Sequence, residues 1–175
     1  MRAVANASPL IYLSKKGALH LLSILYSTVL IPRAVYREVV VKWLEKGFED
    51  AAKVEEAVRK RMLTVREAPV RLVDSIASMA PGLDRGEAEV LALAYQMRGC
   101  HVLVDDRLAR RAACRLGLEP HGTIYVIASA ARRRIISVED ALKLLDELVQ
   151  SGFRISVKLY LKARKSIQEL STQPR

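Results

Sequence analysis

The chain is 175 residues long, with 29 Lys and Arg against 19 Asp and Glu for a formal net charge of +10. That length supports a hydrophobic core with no disulfide or zinc staple, and 51% hydrophobic with 27% charged residues excludes a disordered chain. The excess of positive charge favours contact with nucleic acid or an anionic surface.

In chain order, residues 2–5 form a short candidate strand ending at Asn6-Ala7-Ser8-Pro9, where Ser8 can cap a helix and Pro9 suits its first turn. That helix should stop at Gly17, and a second should span 18–26. The β-branched run 28–31 predicts a second strand, closed by Pro32, which opens a helix over 33–46. A charged helix over 49–62 and a third strand over 63–67 follow. Residues 70–79 repeat helically until Pro81-Gly82 breaks the pattern. Asp84-Arg85-Gly86-Glu87 then has capping-box spacing ahead of a helix through Met97. Gly99 ends that helix; 101–104 reads as a strand, 107–116 as a helix, 118–121 as a strand and 124–133 as a helix. Strands alternating with helices predict an α/β fold, a doubly wound parallel sheet flanked by helices. Beyond it the strands stop. Ser137 and Asp140 offer another capping box before a helix over 141–150, and Ser156 caps a final amphipathic helix to about residue 170. Residues 1–170 are expected to form one domain with a helical C-terminal segment, and 171–175 a frayed tail.

The longest apolar stretch, 19–31, contains His20, Ser23, Ser27 and Thr28 and falls short of the roughly 20 residues a bilayer span requires, so no membrane contact is expected. Ser8-Pro9 and Lys15-Lys16-Gly17 interrupt any signal peptide. Cys100 and Cys114 make neither a CxxC pair nor a disulfide framework, so a cytoplasmic protein is expected. Cys100-His101 does not read as a zinc site, since neighbours in a strand face opposite ways and no companion ligands stand at zinc spacing. Glycine-rich phosphate loops and the GxSxG elbow are absent.

What remains is a set of acidic and amide positions: Asn6, Glu38, Glu87, Asp105 and Asp106. Asn6 and Asp105-Asp106 follow strands, whose ends in an open α/β sheet face one crevice, while Glu38 and Glu87 lie in helices. Carboxylates brought together repel unless a proton or a cation holds them, and Mg²⁺ or Mn²⁺ is the natural cation for an all-oxygen site. Each residue also has an ordinary structural use. An aspartate can cap the helix at Arg107, although two in succession must offset their repulsion, and Glu87 fills the usual glutamate position of a capping box. Glu38 can be a solvated helix residue, and Asn6 can shape a turn. Glu89 lies about 200° round its helix from Glu87, which keeps the two from serving one metal. Arg107, Arg110, Arg111 and Arg115 form a stripe that starts beside the two aspartates, as a solvated face or as holders of phosphate.

The order of these positions carries a resemblance. Asn-Ala-Ser-Pro-Leu-Ile at 6–11, Ile-Pro-Arg-Ala-Val-Tyr-Arg-Glu-Val at 31–39, Gly-Leu-Asp-Arg-Gly-Glu-Ala-Glu at 82–89, Leu-Val-Asp-Asp-Arg-Leu-Ala-Arg-Arg at 103–111 and Gly-Thr at 122–123 together resemble PIN-domain proteins. The nearest likeness is to the compact prokaryotic branch that includes VapC-type toxins, and it runs from residue 2 to about 165. The resemblance implies a PIN-like doubly wound fold and a divalent-metal-dependent ribonuclease, with Mg²⁺ or Mn²⁺ as cofactor and RNA as substrate. It also implies an antitoxin protein as partner and a homodimer. It places the metal ligands at Asn6, Glu38, Glu87 and Asp106, with Asp105 accessory; a one-residue shift exchanges the two aspartates. Ser8, Arg107, Arg110, Arg111 and Thr123 are the candidate positions for substrate contact, Thr123 because the family often has a hydroxyl near the site. Asn6 stands where the family has an aspartate, which implies an attenuated enzyme. The alternative is a catalytically weak nucleic-acid- or antitoxin-binding module. For a dimer, the apolar stretches 19–26 and 39–44 supply either a face or core helices.

Overall fold

Strands that are apolar on both faces need helices on both sides, and this chain provides them. The computed structural model describes residues 1–45 and 49–171. Contacts divide the chain into two units, one spanning Met1–Thr123 and one beginning at Ile124.

The first unit holds a parallel five-stranded sheet of order β3-β2-β1-β4-β5: β1 Arg2–Ala5, β2 Thr28–Pro32, β3 Thr64–Arg66, β4 Cys100–Leu103 and β5 Glu119–His121. Ala3, Val4, Ala5, Val29, Ile31, Val102 and Leu103 of the central strands are all but inaccessible, whereas β3 and β5, at the edges, are three residues each and partly exposed. Short edges limit open pairing surface.

Helices α1 Ala7–Lys15 and α2 His20–Leu25 join β1 to β2. Asn6, rather than Ser8, takes the N-cap position of α1. The first N–H groups of a helix need no intrahelical acceptor, so Pro9 is tolerated as the third residue and the helix starts earlier than Ser8 suggests. From β2 the chain enters α3 Arg33–Tyr36, widens into a π-helical segment Arg37–Val41 and returns to α4 Lys42–Glu45. The expected end of this helix, Lys46, lies outside the described residues. Helix α5 Glu49–Arg59 leads to β3, and α6 Val70–Met79 and α7 Arg85–Met97 lead to β4. Helix α7 packs against β1, β2 and β4, and its buried Ala88, Ala92 and Ala94 permit that approach. Helix α8 Arg107–Arg115 joins β4 to β5.

Helix α9 Thr123–Arg132 begins at the last residue of the first unit. The second unit continues with α10 Val138–Gln150, α11 Val157–Gln168 and a 3₁₀ turn at Glu169–Ser171. Ser137 and Ser156 cap α10 and α11 as their sequence positions predict. The two helices pack together, and Asp146 of α10 accepts from Tyr160 Oη at 2.6 Å and from Arg164 Nη1 at 2.8 Å. Residues 172–175, most of the expected tail, lie outside the described residues. Among those described, no helix is long and apolar enough to cross a membrane.

Candidate active site

The strand order reverses between β1 and β4, so the carboxyl ends of these two strands open the crevice where α/β sheets bind ligands. Ala5 stands in register with Leu103, and the Asn6 N–H donates to the Leu103 carbonyl at 2.9 Å. Asn6 and the Asp105-Asp106 pair therefore leave the sheet side by side. The Asn6 side chain is buried, and it makes no capping hydrogen bond to α1.

The two aspartates part immediately. Asp105 accepts from the Thr123 N–H at 2.7 Å through Oδ1 and from the Thr123 hydroxyl at 2.6 Å through Oδ2. Burial pushes its carboxyl up, and the two Thr123 bonds and Arg110 draw it back. Gly122 is required beside it, because a Cβ there would fall 2.6 Å from Asp105 Oδ1. Asp106 is exposed and caps α8, accepting from the N–H groups of Leu108 at 2.6 Å and Ala109 at 2.9 Å. Both bonds use Oδ1, which leaves Oδ2 outside the cap.

Asp106 belongs electrostatically with residues from two other helices. Glu87 on α7 is 7% exposed, and its carboxyl is pushed up to about 7. Burial is the main cause, and the negative charges of Asp84, Asp106 and Glu38 add to it, against the Asp84 N–H that favours the ionised form. Glu87 and Asp84 form the capping box expected from sequence: the Asp84 N–H donates to Glu87 Oε2 at 3.0 Å, and the Glu87 N–H donates to Asp84 Oδ1 at 2.7 Å. Glu38 comes from the π-helical segment. Its carboxyl is also raised, first by burial and then by Asp84, with Lys42 opposing. Gly86 keeps the space between them open, since a Cβ there would lie 3.2 Å from Asp84 Oδ1 and 3.7 Å from Glu38 Oε2.

Glu38, Glu87 and Asp106 thus share one electrostatic neighbourhood, Asn6 borders it by strand register, and Asp105 is turned to Thr123. Asp84 is a member that sequence reasoning placed only as a helix cap; its side chain does both. Glu89 is buried elsewhere on α7, accepting from the Ala34 N–H at 3.0 Å and from Arg85 Nε at 3.0 Å. Of the residues assigned to substrate, Ser8 is half-buried in the first turn of α1, and Arg107 and Arg111 are exposed on α8. Arg110 donates to the Val104 carbonyl at 3.2 Å. Thr123 is fully buried, with its hydroxyl committed to Asp105.

The donor set fits a hard divalent cation. It consists of carboxylates and one buried amide, and Glu87 is raised first by burial and then by the negative charges of Asp84, Asp106 and Glu38. A family model described as a PIN domain, DUF3368, matches residues 2–169, and the chain belongs to this family. PIN domains generally use divalent metals. No curated protein and no solved structure gives a match.

Proposed function

We propose that this protein is a divalent-metal-dependent endoribonuclease, attenuated by Asn6. The observation that carries the proposal is Glu87, a buried carboxyl held near neutrality by burial and by the carboxylates of Asp84, Asp106 and Glu38. The net charge of +10 supports a polyanionic substrate.

Glu38, Glu87 and Asp106 would hold Mg²⁺ or Mn²⁺, with Asn6 offering a neutral oxygen. When bound, the cation supplies positive charge to the scissile phosphate and makes water a better nucleophile. Glu87, whose carboxyl is raised to about 7 by burial and its neighbours, would hold the cation as the ionised carboxylate. Asp84 adds negative charge while fixing the start of α7. Arg107 and Arg111, exposed on α8 beside Asp106, hold the RNA backbone. Asp105, Gly122 and Thr123 are positioning residues that fix the turn after β4.

RNA cleavage in Mn²⁺, Mg²⁺ or EDTA tests this, run beside Asp106→Asn. Asparagine caps a helix as well as aspartate does, so the variant removes charge and keeps the cap. Cleavage should stop in EDTA and fall by about a hundredfold or more in the variant. Cleavage unchanged in both removes the site.

Asn6 favours a second reading, a binding module with little catalysis, because a neutral amide attracts a cation less than a carboxylate does. Asn6→Asp separates the two: tighter Mn²⁺ binding with faster cleavage supports an attenuated nuclease, and no Mn²⁺ binding in either protein supports the module. A ribonuclease of this type suits the toxin half of a toxin–antitoxin pair, with an antitoxin protein as partner. Growth arrest on expression, absent with Asp106→Asn, checks that role. A homodimer completes the proposal. Leu19, Leu21, Leu22, Leu25, Tyr26, Val39 and Val40 of these stretches are core, while Ile24, Val41 and Leu44 remain 54%, 42% and 43% exposed and are the large apolar side chains a dimer through these stretches would cover. Light scattering at tens of micromolar, an order-of-magnitude working concentration, should give a dimer; a monomer rejects it.

A further inference from the structure

A second constellation of ligating side chains lies on the sheet itself, away from the acidic crevice. Strand β5 pairs with β4 so that His101 faces Glu119 and Leu103 faces His121. Residues two apart on a strand share a face, so His101, Glu119 and His121 all project from the same side of the sheet. One ligand atom from each lies within 4.8 Å of the others. The His101 and His121 rings stand 4.1 Å apart between centroids, and His101 Nε2 is 3.6 Å from Glu119 Oε2.

We propose that His101, His121 and Glu119 form a Zn²⁺ site that ties edge strand β5 to β4, distinct from the acidic site. Two imidazoles and a carboxylate are a recurrent zinc donor set, and imidazole selects transition metals over Mg²⁺. Ligand atoms around tetrahedral zinc sit about 3.3 Å apart, so closure asks for a modest contraction. Glu119 can supply it, since its side chain is 75% exposed and able to change rotamer. Water fills the fourth position.

The outer shell supports this assignment. His101 Nδ1 lies 3.2 Å from Tyr26 Oη. In the tautomer with hydrogen on Nδ1, that nitrogen donates to Tyr26 and the Nε2 lone pair points to Glu119, as a zinc-bound imidazole requires. The site also has a structural consequence. The His121 carbonyl accepts from the Val104 N–H at 2.8 Å, and His121 immediately precedes Gly122-Thr123, which hold Asp105. A metal bridging β4 and β5 would therefore steady the turn that separates Asp105 from Asp106.

Calorimetric titration of Zn²⁺ into the chelator-treated full chain tests the proposal, with Co²⁺ absorption as a probe of coordination. With excess Mg²⁺ occupying the acidic site, one zinc should bind per chain, and Co²⁺ should give the intense visible bands of a tetrahedral site. Tyr26→Phe should weaken binding by about tenfold and Glu119→Gln by at least as much. Glu119 is exposed, so its variant does not endanger the fold even where His101→Gln and His121→Gln do. Asp106→Asn and Glu87→Gln should leave this zinc untouched, which keeps failure of the nuclease reading separate from failure of this one. The proposal is overturned by absence of binding, by zinc affinity and Co²⁺ spectrum unchanged in Glu119→Gln and Tyr26→Phe, or by loss in Asp106→Asn instead.

Discussion

Asp105 and Asp106 are neighbours in sequence with opposite surroundings. Asp105 is turned inward, and both of its oxygens accept from Thr123. Asp106 is turned outward, spends one oxygen on a helix cap and lies among carboxylates that raise the carboxyl of Glu87. The first region answers its carboxylate with hydrogen bonds, although burial still leaves the Asp105 carboxyl raised, and its contribution is positional. The second is unfinished, and a group left short of positive charge is where a cation gains most. Substitutions in the two regions should therefore act in opposite directions on the metal-free protein.

The largest effect is expected for Asp105→Ala. It strands the Thr123 N–H and hydroxyl in a residue with no accessible surface, for a loss of about 3 kcal/mol. For a chain of this size, thermal melting should fall by about 6–12 °C. A melting temperature equal to wild type would show that the latch holds nothing. Gly122→Ala attacks the same latch sterically, driving a methyl to 2.6 Å from Asp105 Oδ1. Overpacking of this kind should cost about 2 kcal/mol in denaturant unfolding; a neutral outcome would mean that Asp105 moves freely.

In the acidic region the sign reverses. Folding raises the Glu87 carboxyl to about 7 from its ordinary 4.5, so the folded state binds more protons between those values. The stability this group contributes is fully present below about pH 4.5 and is lost as pH rises through about 7. Glu87→Gln keeps the capping contact but cannot ionise. In chelator-treated protein it should gain roughly 2 kcal/mol over wild type at about pH 8 and little at about pH 5. Destabilisation at the higher pH would mean that Glu87 is already compensated.

The smallest effect is expected in the second unit. Asp146 accepts from Tyr160 and Arg164, which hold its carboxyl below the ordinary range, but the pair is about one-third exposed. Asp146→Asn should lower melting only slightly, and high salt should shrink the difference between the two proteins. A large, salt-independent loss would place this contact among the main supports of the unit.

Much of the frame was legible in the sequence. The strand Arg2–Ala5, the helix Val70–Met79 and the capping box at Asp84 and Glu87 follow local rules, which operate within one turn or one strand. That box also shows that a cap and a site residue are not exclusive: Glu87 meets the Asp84 backbone with Oε2 and still lies in the acidic group. Three features escaped. The π-helical segment carrying Glu38 alters a helix by one extra residue per turn, a change that barely disturbs the hydrophobic pattern of 33–46. Which aspartate turns inward depends on Gly122-Thr123 arriving beside β4, a consequence of strand register. The partners of His101 are hidden for the same reason: Glu119 and His121 reach it only through β4–β5 pairing, and no local zinc spacing announces them.

The central claim is that the outward region, not the inward one, holds a divalent cation. Calorimetric titration of Mn²⁺ into chelator-treated wild type, Asp106→Asn and Asp105→Asn tests it most directly. Asparagine preserves the cap at Asp106, so charge is the main variable there; at Asp105 its single oxygen still accepts from the Thr123 N–H, while its Nδ2 meets the Thr123 hydroxyl as a donor. The account predicts binding weakened by about tenfold or more in Asp106→Asn and close to wild type in Asp105→Asn. Equal weakening in both, the reverse order, or no Mn²⁺ binding to the wild type would contradict it.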